Sequence, residues 1–352
     1  MSKDTSNIFG RRLNQARLIK GISMEELGQT VQPSVSRQSI NKYEKGQSMP
    51  DSRMLISLGR VLGVKPDYFF RPFTVEVDKV MFRKKSRFSE KDALAVKEKV
   101  REELERYLEV EQLSGVSSSF SLQHKQITND GDVIAFANSV RQKIGLGVDG
   151  ISNVIEVLED NGIKIIEVSE SESFEGLSGY ANDNIPLIVI NCNLTSERKR
   201  FTLLHEFGHL LMKFGDDVSN KVMEDACNIF AREILLPSEV LKSRLGKSRH
   251  DISLAELTDI QKQYGISIDS IMESLAHNGV ITGRRYEGYL KKKKIFPDFN
   301  SLVERSLAIP ETSGRFVRMV YRALADEIIS FSKAAALLNT SVDNVKAQLQ
   351  LV

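Results

Sequence analysis

His205-Glu206-Phe207-Gly208-His209 is the stretch of this chain whose residue types and spacing could do chemistry. It lies within Arg200 to Met212, an apolar run that predicts a helix. A period of 3.6 residues sets His205 and His209 one turn apart on one face, where both imidazoles can reach a single metal ion. Glu206 is too close in sequence to be a third ligand of the same ion. In a His-Glu-x-x-His helix it is instead placed to take a proton from a zinc-activated water, which is hydrolase chemistry. In a chain of 352 residues with 5 histidines, a chance match to this spacing is on the order of one in a hundred, so the motif is already a signal, and a metal site further needs a third ligand.

The stretch from Glu224 to Pro237 predicts a second helix, with the small residues Ala226, Cys227 and Ala231 suited to close packing against a neighbour. Glu224 stands at its start as the candidate third ligand. Asn228, one turn later on the same face, is placed to accept the outer N–H of a ligand histidine and so fix its tautomer. Two histidines and one glutamate leave a fourth position open for water, as catalytic Zn2+ sites require. Cys192 and Cys227 are the two cysteines of the chain and fit neither a disulfide framework nor a Cys-x-x-Cys metal site. Cys227 is expected to fill space on the second helix.

With these residues in view, the chain resembles a known family. The run Phe201-Thr202-Leu203-Leu204-His205-Glu206-Phe207-Gly208-His209, followed by Glu224-x-x-x-Asn228-x-Phe230-Ala231 and Leu235-Leu236-Pro237, is similar to the ImmA/IrrE zinc metallopeptidases. Such proteins cut or otherwise inactivate repressors in mobile elements and stress responses. The resemblance implies that His205, His209 and Glu224 are the ligands and Glu206 the catalytic acid/base, over roughly residues 130 to 285. It also matches Pro186 to Asn191 to the family's strand before the active helix. That strand is expected to be an edge strand able to pair with an extended substrate backbone. Tyr180, nearby, either packs or donates a hydrogen bond to an oxyanion.

Net charge is only +2, yet residues 1 to 72 carry 12 Lys and Arg against 6 Asp and Glu, so the basic end is where an anionic partner is expected. From Ile8 to Phe70 the pattern is one of short helices between capping and turn signals. Gly21 ends the first, Ser23-Met24-Glu25-Glu26 opens the second, Ser36 to Glu44 makes the third, and Asp51 and Gly63 bracket the fourth. Arg37, Gln38 and Asn41 on the third helix are side chains that read base edges. Ser39 and Lys42 complete the expected DNA-binding set. Ser36-Arg37-Gln38-Ser39-Ile40-x-x-Tyr43-Glu44-x-Gly46-x-x-x-Pro50 resembles the lambda-repressor-like, XRE-type helix-turn-helix. Two departures from that family are the longer turn Gln32-Pro33-Ser34-Val35 and Gly28, where alanine is favoured.

The expected organisation is multidomain. Residues 1–72 form an all-α helix-turn-helix domain, and residues 73–129 hold a short strand near Phe73 to Phe82 and a charged helix from Glu90 to about Leu113. The apolar stripe of that helix favours packing over a spacer or dimerisation role. Residues 130–285 form an α+β, zincin-like domain, and residues 286–352 a mainly helical region with a basic run at Lys291 to Lys294 and a degenerate second helix-turn-helix near Ile329 to Ser341. No apolar run approaches the roughly 20 residues of a membrane span, and no signal-peptide core precedes residue 10, so a cytoplasmic location without a membrane partner is expected. The expected partners are double-stranded DNA and a protein substrate, toxin or repressor, with a homodimer left open. The leading reading is a DNA-binding regulator fused to a zinc endopeptidase. Its rival is a non-proteolytic repressor or antitoxin-like protein whose peptidase fold senses metal or binds a partner.

Overall fold

A computed structural model describes residues 3–77, 89–116 and 119–349. These fall into two compact units, one holding residues up to 77 together with 89–109 and the other the residues from 110 onward. No helix among the described residues is long and apolar enough to cross a membrane.

The first unit starts with α1 (Lys3–Lys20), α2 (Met24–Thr30), α3 (Arg37–Glu44), α4 (Ser52–Leu62) and a 3-10 turn (Pro66–Phe70). The expected caps do their work. Ser23 and Glu26 form a reciprocal capping box, Asp51 accepts a backbone N–H, and Gly63 closes α4 at φ 73°; Ser36, read as the first residue of the third helix, is instead its N-cap, accepting from Ser39 N. Phe9, Leu13, Leu27, Ile40, Leu58 and Phe69 make the core. The two departures from the helix-turn-helix pattern are a single feature. The longer turn folds back so that the Val35 carbonyl lies where a Cβ on Gly28 would stand, while Val35 N donates 2.9 Å to Gly28 O. Alanine at 28 and this turn exclude one another.

The unit is completed by α5 (Glu90–Ser114), which belongs to it through Glu109. Val96, Val100, Leu104 and Tyr107 are buried, so this part of the helix packs. The expected strand near Phe73 is not formed over the described residues. Residues 73–77 have no regular secondary structure, with Val75 and Val77 buried, and the remainder of that stretch lies outside the described residues. Arg12, which a helical wheel would leave among the polar positions, is buried. It donates to Arg71 O and Pro72 O, and pairs with Glu105 at 2.8 Å.

The second unit begins with β1 (Lys125–Gln126), α6 (Asp130–Lys143), α7 (Val154–Asp160), β2 (Lys164–Val168), β3 (Gly176–Ala181) and β4 (Ile185–Asn191). It continues through α8 (Ser196–Leu211), β5 (Met212–Lys213), α9 (Asn220–Leu235), α10 (Ser238–Leu245), α11 (Leu254–Tyr264) and α12 (Ile268–His277). Three strands form a sheet in the order β2-β4-β3, and β1 pairs with β5. β4 runs parallel to β2 and antiparallel to β3, with Ser178 opposite Ile188. The expected edge strand is therefore a central one. Its run Leu187-Ile188-Val189-Ile190 is buried on both faces, which is how a strand covered on both faces reads in sequence. β3, with its glycines and polar residues, is the outer strand.

The C-terminal part contributes α13 (Gly283–Ile295), α14 (Pro297–Val303), α15 (Arg315–Ala325), α16 (Phe331–Leu337) and α17 (Val342–Leu349). Lys291 to Lys294 end α13 rather than form a linker, and Lys293 pairs with Asp269 and Glu304. Between α14 and α15, residues 305–313 are strapped to the first turn of α8. Glu197 accepts from Leu307 N and Ala308 N, Lys199 donates to Glu311 O, and Arg200 pairs with Glu311 at 2.8 Å. The other Glu311 oxygen accepts from Ile155 N at the start of α7. With side chains only 4% and 1% exposed, Arg200 and Glu311 depend on each other. Glu311→Ala should therefore destabilise this unit by about 3–5 kcal/mol, because it leaves a buried guanidinium uncompensated. Urea unfolding of the two proteins measures this, and a loss below about 1 kcal/mol, the worth of an exposed pair, would show the strap to be incidental.

Candidate functional site

α8 is capped by Thr195, whose side chain accepts from Arg198 N, and it buries Leu203, Leu204, Phe207, Leu210 and Leu211 in the core. That leaves His205, Glu206 and His209 half-buried on the remaining side. α9 packs against this helix through Ala226, Cys227, Phe230 and Ala231. It starts earlier than its apolar pattern implies, because Ser219 caps it by accepting from Val222 N. Glu224 thus stands one turn inside the helix rather than at its start.

The two helices bring the three expected ligands together. His205 Nε2 lies 3.1 Å from His209 Nε2 and 3.1 Å from Glu224 Oε2, and His209 Nε2 lies 3.4 Å from Glu224 Oε1. A tetrahedral ion with bonds of about 2.0–2.1 Å holds its ligand atoms about 3.3 Å apart, so this donor set fits zinc in both chemistry and spacing. His205 Nδ1 lies 2.9 Å from Asn228 Oδ1, so the carbonyl oxygen accepts the ring proton there and Nε2 carries the lone pair. The imidazoles of His205 and His209 beside it hold the Glu224 carboxyl below the usual carboxylate range. Among the described residues, His205, His209 and Glu224 are the cluster able to hold a metal ion, and His250 and His277 are not part of it.

Glu206 is not in that cluster. Its Oε2 accepts 2.8 Å from the Ser178 hydroxyl on β3, a residue that the sequence reading missed. Gly176, Ser178 and Tyr180 share one face of β3 by the two-residue period of a strand, and they meet α8 at Thr202, Glu206 and Leu210, each one turn further along. The signal that could have found Ser178 is that two-residue alternation leading up to Tyr180. The Tyr180 hydroxyl donates 3.3 Å to Leu210 O and lies 3.2 Å from His124 Nε2, and burial raises its pKa. Through these contacts Tyr180 ties β3 to α8.

In the first unit Arg37, Gln38 and Lys42 are exposed, while Ser39 and Asn41 are half-buried. Arg37, Gln38 and Asn41 line an open groove of about 540 Å³ together with Met24 and Ser36. Ser39 differs from the others, since its hydroxyl lies 3.1 Å from Ser36 Oγ and its backbone N–H is capped there. α3 is held by its last residue: Glu44 accepts from Asn14 at 2.7 Å and pairs with Arg17 at 2.5 Å. The polar face of α3 is thus presented by a fixed helix.

Residues 158–275 match the family described as IrrE N-terminal-like domain, and residues 13–69 match the helix-turn-helix family. Over 102 residues the chain is 29% identical to the Radiation response metalloprotease IrrE of Deinococcus deserti, an overlap of 26% of this chain and 36% of that protein. The protein of the same name from Deinococcus radiodurans is 31% identical over 101 residues, 25% of this chain and 30% of its own. The SPbeta prophage-derived uncharacterized HTH-type transcriptional regulator YonR of Bacillus subtilis is 32% identical over 71 residues, 20% of this chain and 64% of its own. The chain thus spans about a third of the length of the two metalloproteases and under two thirds of the regulator. It joins an XRE-type helix-turn-helix domain at its N-terminus to a domain of the IrrE/ImmA-like metallopeptidase family.

Proposed function

We propose that this protein is a DNA-binding transcriptional regulator whose zincin-like α+β domain is a zinc-dependent endopeptidase acting on a regulatory protein. The convergence of His205, His209 and Glu224 beside a non-ligand Glu206 carries the reading. We assign DNA binding to residues 1–72 and peptide hydrolysis to residues 130–285. The ligand set is His205 Nε2, His209 Nε2 and the Glu224 carboxylate, with Asn228 orienting His205. A zinc ion held there supplies the Lewis acidity that makes water nucleophilic near neutral pH and polarises a peptide carbonyl.

The remaining steps belong to the chain. An extended substrate adds to the outer edge of β3, not to β4, whose two edges are already paired. Ser178 holds one oxygen of Glu206, and the other is open to take a proton from the attacking water. As the new C–O bond forms and the C–N bond breaks, Glu206 passes that proton to the departing amine. The experiment that tests the reading compares new protein N-termini in cells producing the parent or Glu206→Gln. An additional cut in a regulator is expected with the parent only, and identical sets would overturn the peptidase assignment.

The DNA half rests on the exposed polar face of α3. Arg37, Gln38 and Asn41 read base edges, and Ser39 and Lys42 contact the phosphate backbone. Arg37→Ala should cost about 1–3 kcal/mol at one base position, whereas Lys42→Ala should weaken binding to all sequences alike and flatten the salt dependence. Anisotropy titrations against a randomised duplex pool measure both. Absence of any salt-dependent DNA affinity in the full chain would remove this half of the proposal.

A further inference from the structure

One buried side chain at the metal cluster has no part in the scheme above. Cys227 on α9 is fully buried, and its Sγ lies 3.3 Å from His209 Nδ1. That nitrogen is the one turned away from the cluster, since His209 directs Nε2 at His205 and Glu224. Gly208 packs beneath this contact: a Cβ built there would stand 3.4 Å from the sulfur, an ordinary contact, and 3.2 Å from the Phe230 ring, a tight one, so the bare glycine eases the close packing of α9. Asn228, the next residue of α9, meets His205 Nδ1 in the same way.

We infer that Cys227 is a positioning residue for His209. Its sulfur accepts the Nδ1–H, which keeps the proton on that nitrogen and leaves the Nε2 lone pair facing the metal. This deepens the zinc reading and rests on it. A neutral imidazole offers only one bare nitrogen, and the partner of the other decides which one it is and how the ring is turned. Carboxylates, carbonyls and waters usually hold that place; sulfur is a weaker acceptor but suits a pocket closed by Phe230, Met212 and Gly208. The sulfur is not a fourth ligand, because it sits on the opposite side of the ring from the cluster.

The test uses the full chain, stripped of metal and titrated with zinc against a chromophoric chelator, with cobalt(II) as a second probe. Cys227→Ala should weaken zinc binding about tenfold, at the low end for partners of this kind, while Cys227→Ser, which keeps an acceptor, should stay within about threefold of the parent. A cysteine that only fills space would give the reverse order, since alanine suits an apolar pocket better than serine. Parental affinity in Cys227→Ala overturns the inference. So does a thiolate-to-cobalt charge-transfer band, which would make the sulfur a ligand. Should Cys227→Ala fail to fold, nitrogen NMR of the zinc-loaded parent decides the matter. A solvent-protected proton on His209 Nδ1 is expected, and a freely exchanging one defeats the assignment. A parent that takes up no zinc brings down the metal reading itself, whereas a zinc-binding parent with indifferent Cys227 variants brings down this inference alone.

Discussion

Glu206→Gln is expected to retain zinc, fold and DNA affinity while losing peptide hydrolysis by about 10²–10⁴-fold, the range set by removing a positioned proton acceptor. The substitution is nearly isosteric, and the amide oxygen can still accept from the Ser178 hydroxyl. What it cannot do is take a proton near neutral pH. Because Glu206 stands outside the group of His205, His209 and Glu224, the metal should be unaffected. Zinc content by elemental analysis, thermal unfolding and length of the target protein together measure the result. Undiminished cleavage by Glu206→Gln would take the proton-transfer role away from this residue.

His205→Ala is expected to lose the metal, falling from about one zinc per chain to near none, because one of three protein ligands is gone. The consequences extend further than those of Glu206→Gln. His205 also meets Asn228 at 2.9 Å and Glu224 at 3.1 Å, so its loss takes a contact on α8 from each of these two α9 residues. Full zinc occupancy in His205→Ala would defeat the ligand assignment.

The pair of variants also separates the peptidase from its rival. A regulator that cuts its target needs Glu206, so Glu206→Gln and His205→Ala should fail alike in a reporter assay. A metal-sensing repressor needs only the ligands, so Glu206→Gln should regulate as the parent does and His205→Ala should not. Ser178 bears on the choice, since it leaves one oxygen of a carboxylate outside the metal cluster open for proton transfer.

The sequence by itself determined the local chemistry of this protein. The His205 and His209 spacing, the Asn228 position and the caps at Ser23 and Asp51 all follow from helical periodicity and from side chains bonding to backbone within a few residues. The XRE-type pattern was likewise legible, because a helix-turn-helix is a short-range motif. Tertiary structure decided whatever depends on residues far apart in the chain. Ser178 reaches Glu206 across 28 residues, and no periodicity links a strand hydroxyl to a helix carboxylate. β4 read as an edge strand from its place before the active helix, but strand order is a matter of pairing, and its burial on both faces puts it in the middle. Gly28 looked like a deviation until the turn folded back on it. Arg200 and Glu311, 111 residues apart, show the same limit, for each alone is an ordinary surface residue and only packing makes them a buried pair.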